Sequence, residues 1–224
     1  MARLARVVAA GAPHLVAQRG NRGQKVFFAK SDFELYKSLL ADGCRHARTP
    51  VLAYSLLPDR VYLILLPRDE DGLRAALGES HRRYTREINT REGWRGFLWQ
   101  GRFASFPMET TYLPACVRYV ELMPVNAGLV KRARDWRWSS ARAHLSKKND
   151  ELVCVERLRA RIGNWRDFLA AGASAEECET FRSHESTGRP LGAPAFVGRL
   201  EKRLGRTLAK QKPGPKPRSI RNEE

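Results

Sequence analysis

Acidic residues are scarce in this chain of 224 residues: 24 Asp and Glu stand against 41 Lys and Arg, a formal charge of +17 and a pI near 10.4. Such an imbalance selects for polyanionic partners, nucleic acid ahead of an anionic membrane surface. Cysteine is nearly as sparse. Cys44, Cys116, Cys154 and Cys178 lie far apart with no CxxC pair, which speaks against a zinc knuckle and a disulfide framework and for free, partly buried thiols. Long apolar runs are missing too. The longest, Val61 to Leu66, falls far short of the roughly 20 residues of a spanning helix. The N-terminus carries no apolar stretch of the signal-peptide kind, so a cytoplasmic location is expected.

What is present is enough for a globular core, with 42% hydrophobic residues. Pro13 to Arg19 reads as a first strand, closed by the turn Gly20-Asn21-Arg22-Gly23. The amides of Gly20 and Gly23, beside Arg19, Arg22 and Lys25, are candidates for holding phosphate; a plain turn is the alternative. Ser31-Asp32-Phe33-Glu34 has the spacing of a capping box, with a helix expected to about Cys44 and a stripe of Phe33, Tyr36, Leu40 and Cys44 facing the core.

Two strands follow, Val51 to Leu57 and Val61 to Leu66, around Pro58-Asp59-Arg60. Strand side chains alternate, so Arg60 and Tyr62 project to one face and Val61, Leu63 and Leu65 to the other. That spacing suits a pair of metal ligands, although neither residue is a good one. A second helix is expected over Asp71 to Asn89, with Leu73, Leu77, Tyr84 and Ile88 inward. Its basic face carries Arg74, Arg82, Arg83 and Arg86, with His81 as a surface residue.

Gly96 to Phe103 is expected to be an irregular strand. Trp99 and Phe103, next to Arg95 and Arg102, are candidates either for stacking on unpaired bases or for core packing. Thr111 to Met123 is expected to form a helix ended by Pro124, with Tyr112, Cys116, Tyr119 and Met123 on one side and Val117 and Val120 anchoring the other. Spacing alone makes Tyr119 a core or rim residue. After Leu145 the composition changes: one or two helices are expected over Val153 to Leu169 and another over Phe196 to Leu204. The final Lys/Pro-rich stretch, with Lys210, Lys212 and Lys216, reads as a disordered basic arm that meets phosphates electrostatically.

Several of these segments, in this order, resemble the single-tyrosine HUH transposases and most closely the REP-associated tyrosine transposases. They are Pro13 to Asn21, Pro58 to Leu66, Leu98-Trp99-Gln100-Gly101-Arg102-Phe103, Tyr119-Val120-Glu121-Leu122-Met123-Pro124-Val125-Asn126-Ala127-Gly128 and Trp136-Arg137-Trp138-Ser139-Ser140. Thr187 to Gly192 and the basic end resemble the C-terminal extension of many such proteins.

The resemblance implies an α+β core of ferredoxin-like or RRM-like type, an antiparallel sheet with helices on one side, over residues 1–145. A helical extension over 146–208 and a basic tail over 209–224 follow. It also implies cutting of single-stranded DNA beside palindromic hairpins. A helix-borne tyrosine attacks the scissile phosphate, assisted by Mg²⁺ or Mn²⁺ on two histidines at i and i+2 and a polar residue of the tyrosine helix. Carried over residue by residue, the nucleophile falls on Tyr119, the histidine pair on Arg60 and Tyr62, and the third ligand on Met123.

A guanidinium, a neutral phenol and a thioether are poor ligands for hard divalent ions. The expectation is therefore a binder of single-stranded hairpin DNA, acting at the nucleoid with no cofactor, no membrane and no small-molecule substrate, in which metal-dependent nicking is lost or impaired. Two alternatives stay open. One is an active nickase in which Arg60 replaces the metal, or His14 or Glu121 recruits one; the other is an RNA-binding module built on an open, aromatic sheet face.

Overall fold

The computed structural model describes residues 5–209. Its first six elements run β1 (His14–Arg19), α1 (Lys30–His46), β2 (Val51–Leu57), β3 (Arg60–Leu65), α2 (Gly72–Glu92) and β4 (Ala104–Pro107). All pairings are antiparallel and the sheet order is β2-β3-β1-β4. This βαββαβ order with β1 and β3 central is the expected ferredoxin-like arrangement. The two-residue connection Pro58-Asp59 sets the hairpin register, so that Leu57 pairs with Arg60 and Ser55 with Tyr62.

Alternation along β3 divides the core. Val61, Leu63 and Leu65 join α1 and α2 on one face, where Phe33, Tyr36, Leu40, Cys44, Leu73, Leu77, Tyr84 and Ile88 are all buried. The two helices approach closely at Gly43, where a Cβ would stand 2.4 Å from the Ala76 carbonyl oxygen, so only glycine fits. The cap of α1 is not the Ser31/Glu34 box. Asp32, one turn into the helix, accepts from the backbone N–H groups of Phe28 (2.7 Å) and Ala29 (2.9 Å) and is clamped from outside by Arg91. A carboxylate serves the orphan donors more strongly than a hydroxyl does.

The opposite face is covered as well, which corrects the expectation of helices on one side only. Leu15, Ala17, Tyr62 and Ile64 pack there against α3 (Leu113–Asn126), and the cluster continues into residues of the C-terminal part: Trp165, Leu169, Phe181 and Leu191. An open RRM-like platform for RNA is therefore not offered by this sheet. After α3 come α4 (Ala141–Ser146), α5 (Glu156–Arg159), α6 (Trp165–Ala170), α7 (Ala175–Thr187) and α8 (Pro194–Leu204). In a third, smaller cluster Phe196, Leu200 and Leu208 pack on Val7 and Ala9.

Two element boundaries differ from expectation for identifiable reasons. Pro124 does not end α3 but lies inside its last turn. Its missing N–H releases the carbonyl of Val120, four residues earlier, and Ser55 Oγ of β2 donates to that oxygen at 2.8 Å. The fourth strand is Ala104–Pro107, not Gly96 to Phe103. Gly93, Gly96 and Gly101 all take positive φ, which curls that stretch into a loop that meets β1 through a Gly20–Trp99 bridge and a bond from Gln18 Nε2 to the Gly101 carbonyl at 3.3 Å. Among the described residues no helix is long and apolar enough to cross a membrane, and the four cysteines are unpaired.

Candidate active site

Arg60 and Tyr62 share a sheet face that α3 and α7 cover. Arg60 opens β3 and donates to its neighbour through both Nε, to Asp59 Oδ1 at 3.0 Å and Oδ2 at 3.1 Å, and Nη2, to Asp59 Oδ2 at 2.6 Å. Directly across the sheet stands Arg19 of β1, whose Nη2 donates to Glu185 Oε1 of α7 at 3.1 Å. Two guanidinium groups thus oppose each other on paired strands, each held by a carboxylate from a different element.

Tyr62 is buried, and its ring meets that of Tyr119 edge to face at a centroid distance of 6.2 Å. Tyr119 is 1% exposed, and on its other side lies the ring of Phe181 at 5.1 Å. Burial pushes both phenols above their ordinary range, and for each of them the nearby Glu185 carboxylate pushes the same way. Met123, one turn along α3, is half-buried in the same apolar cluster. Tyr62 and Tyr119 are thus in ring contact, with Arg60 two residues before Tyr62 on β3 and Met123 one turn after Tyr119 on α3.

Sequence reasoning missed Phe181 and Glu185. Helix α7 opens with a capping box in which Ser174 Oγ accepts from the Glu177 N–H and Glu177 Oε2 accepts from the Ser174 N–H, both at 3.0 Å. Glu177 also accepts from Arg118 at 2.8 Å, which docks α7 beside Tyr119. The Ser-Ala-Glu-Glu pattern at 174–177 is a legible signal for the helix. Glu185 comes to rest with little solvent access, its Oε2 without a hydrogen-bond partner, and burial raises its pKa against the opposing pull of Arg19, Arg60 and Arg182.

The other acid–base candidates are committed elsewhere. His14 sits at the far end of β1, where Nε2 accepts from the Ala9 N–H at 3.1 Å and Nδ1 pairs with the Ala12 carbonyl. Burial pulls its pKa down to about 4. Glu121 is wholly buried and bonded to Ser140, His144 and Trp165. Among the described residues no group of three or more His, Cys, Asp or Glu could hold a metal ion.

The expected DNA-contacting residues fall into three sets. Arg22, Lys25, Arg82, Arg83, Arg86, Arg95 and Arg102 are exposed, Arg82 bonded to Glu79 and Arg86 within 3.8 Å of Glu87. The loop amides beside them are spent: Gly20 N–H donates to Asp59 O at 2.7 Å and Gly23 N–H to Gly20 O at 3.1 Å, so they form no phosphate nest. Trp99 offers no face to a base. It is 7% exposed, stacked on His81 at 4.9 Å and packed on Tyr36 and Tyr84. Phe103 is likewise buried, with Arg6 over its ring.

His81, half-buried at the margin of the basic face, turns its ring inward. Its Nε2 pairs with the Tyr36 hydroxyl at 2.9 Å, and burial lowers its pKa to about 3. The exposed aromatics of this region are Phe97, at 84%, and Trp94, at 44%. Lys210, Lys212 and Lys216, with the basic tail, lie outside the described residues.

No family model matches the chain, and no curated protein matches it. Among solved structures, a REP-associated tyrosine transposase bound to a REP hairpin superposes with a TM-score of 0.57 at 19% identity, covering 69% of this chain and 92% of its own. A second, a transposase candidate from Deinococcus radiodurans R1, gives a TM-score of 0.36 at 22% identity over 54% of this chain and 96% of its own. The first of these shows that the chain has the fold of a REP-associated tyrosine transposase.

Proposed function

We propose that this chain is a DNA-binding protein of the REP-associated tyrosine transposase family that recognises single-stranded hairpin DNA of the REP-like palindromic kind and has lost metal-dependent nicking. DNA is the partner favoured by the +17 charge and by a neighbour of the same fold solved on a REP hairpin. The observation that carries the loss of nicking is the content of the metal positions. Arg60 is a cation already held by Asp59, Tyr62 is a phenol that burial keeps neutral, and Met123 brings a soft thioether. This donor set does not fit Mg²⁺ or Mn²⁺.

The nucleophile position supports the same reading. Tyr119 lies between Tyr62 and Phe181 with its pKa raised, and no base capable of taking its proton is hydrogen-bonded to it among the described residues. What remains is suited to holding a phosphate without turning it over, with Arg60 and Arg19 side by side at the edge of the site. The protein would act in the cytoplasm, at the nucleoid.

The test is incubation of the protein with a labelled single-stranded hairpin and Mn²⁺ or Mg²⁺. Retention of the hairpin without a covalent product is expected. A covalent adduct that disappears in Tyr119→Phe would overturn the proposal. Cleavage restored by combining Arg60→His, Tyr62→His and Met123→Asn would locate the defect in the metal positions.

A further inference from the structure

A large cleft opens on the side of α3 where α4, α5 and α6 pack, lined from α3 by Leu122 and Val125. Tyr119 is not part of it. Its volume, about 1730 Å³, exceeds the roughly 300–1,000 Å³ of pockets built for one small molecule. The lining is one-sided in charge. Seven Lys and Arg side chains face a single carboxylate, Asp135, which is already taken by Arg132 at 2.8 Å. Lys131, Arg142, Lys147 and Arg166 are exposed and form no ion pair among the described residues.

A second feature of the cleft is His144. Its side chain is fully buried, Nδ1 is bonded to Glu121 at 2.6 Å, and the ring stacks on Trp165 at 4.1 Å. Glu121 is in turn fixed by Ser140 (2.6 Å) and Trp165 Nε1 (2.8 Å), so the imidazole cannot turn to find another bond. Its Nε2 is left without a partner. Buried polar atoms rarely stay unpaired, so the protein alone leaves the polar layer behind the cleft wall incompletely satisfied.

The geometry points to this cleft as a site for an unpaired stretch of DNA strand, distinct from the Tyr119 face, an inference that rests on the DNA-binding function proposed above. Free cations at the rim track a phosphodiester backbone. Between them, Leu122, Val125 and Ile162 give an apolar floor that suits base faces, which a duplex would hide in its own stack. The seven lining cations and the volume both exceed what one nucleotide supplies.

The experiment uses the full chain and two fluorescent probes, a hairpin alone and the same hairpin with a single-stranded extension, followed by anisotropy across a salt series. Arg142→Ala with Arg166→Ala removes two exposed rim cations, and a thermal melt checks that folding is unchanged. For the extended probe, binding should weaken several-fold, and the slope of log K against log salt should become shallower by about 0.7 for each phosphate that is no longer neutralised. The bare hairpin should be unaffected. An equal loss on both probes, or no change on either, overturns the inference while leaving hairpin recognition intact. Failure of the unmutated chain to bind either probe removes the DNA-binding function itself, and this inference with it.

Discussion

The ring of Phe181 on α7 lies 5.1 Å from that of Tyr119 on α3, closing off a tyrosine that the sheet and Tyr62 already cover from below. Both residues are 1% exposed. Deleting a fully buried phenyl ring removes its transfer free energy and leaves a cavity, so Phe181→Ala should cost about 3–5 kcal/mol. Urea denaturation measures this directly. A loss below about 1 kcal/mol would mean that α7 is docked loosely and that Tyr119 is open to solvent for much of the time.

Glu185 is the acid of α7 with the least favourable position: little solvent, one oxygen on Arg19 and the other without a partner. Its folded-state pKa is raised, so the native state binds more protons than the unfolded state above the ordinary Glu range. Stability linked to this group is fully present below its unfolded pKa and is lost as pH rises through the folded one. Relative to the wild type, Glu185→Gln should therefore gain stability as pH rises from acid toward neutral. Paired urea titrations across that range check it, and a difference that is flat or runs the other way would show the Arg19 pair to dominate.

Much of this arrangement is legible in the sequence, but unevenly. The stripe of Phe33, Tyr36, Leu40 and Cys44 and the alternation through Val61, Leu63 and Leu65 place the helices and central strands, because local periodicity and burial agree there. The fourth strand is misplaced because the aromatics of Gly96 to Phe103 look strand-like while their glycines bend the chain away. The sequence leaves Trp99 open between base stacking and core packing, and His81 reads as a surface residue, for a related reason. Each lies close to arginines in sequence, yet the two stack on each other, Trp99 in the core and His81 half-buried against it, and only long-range packing decides that. The grouping of Arg60, Tyr62, Tyr119 and Met123 is recoverable from family resemblance. Phe181 and Glu185 are not, since a capping box announces a helix but says nothing of where it docks.

His14 should make the fold acid-sensitive. The ring is completely buried, accepts from Ala9 N–H through Nε2, and has its pKa lowered from 6.5 to about 4 by desolvation. For a base whose folded pKa is depressed, the unfolded chain binds the extra proton first. Stability is then full above about pH 6.5 and falls as pH drops toward 4, by about 3 kcal/mol for this group at roughly 1.4 kcal/mol per pH unit. In His14→Gln, whose amide does not titrate, the fall between pH 6.5 and 4 should be shallower, whatever its stability at neutral pH. Equal slopes for the two proteins would show that His14 takes up its proton without opening the β1 end of the sheet.

Phe97 tests the nucleic-acid face without touching the core. It is 84% exposed in the loop between α2 and β4, near Trp94, and flanked in sequence by Arg95 and Arg102. A large apolar ring held this far into solvent contributes nothing to packing, so Phe97→Ala should leave stability within about 0.5 kcal/mol. Stacking on an unpaired base is worth about 1–3 kcal/mol, and if the loop of a hairpin or its flanking strand rests here, binding should weaken by roughly 5- to 150-fold. Trp99→Phe makes the opposite contrast: a change in the buried aromatic cluster should lower stability and leave affinity for the same hairpin nearly constant. Anisotropy and urea melts on both variants separate the two roles. Equal affinity for the hairpin in Phe97→Ala would move the contact surface away from this loop, toward the arginines of α2.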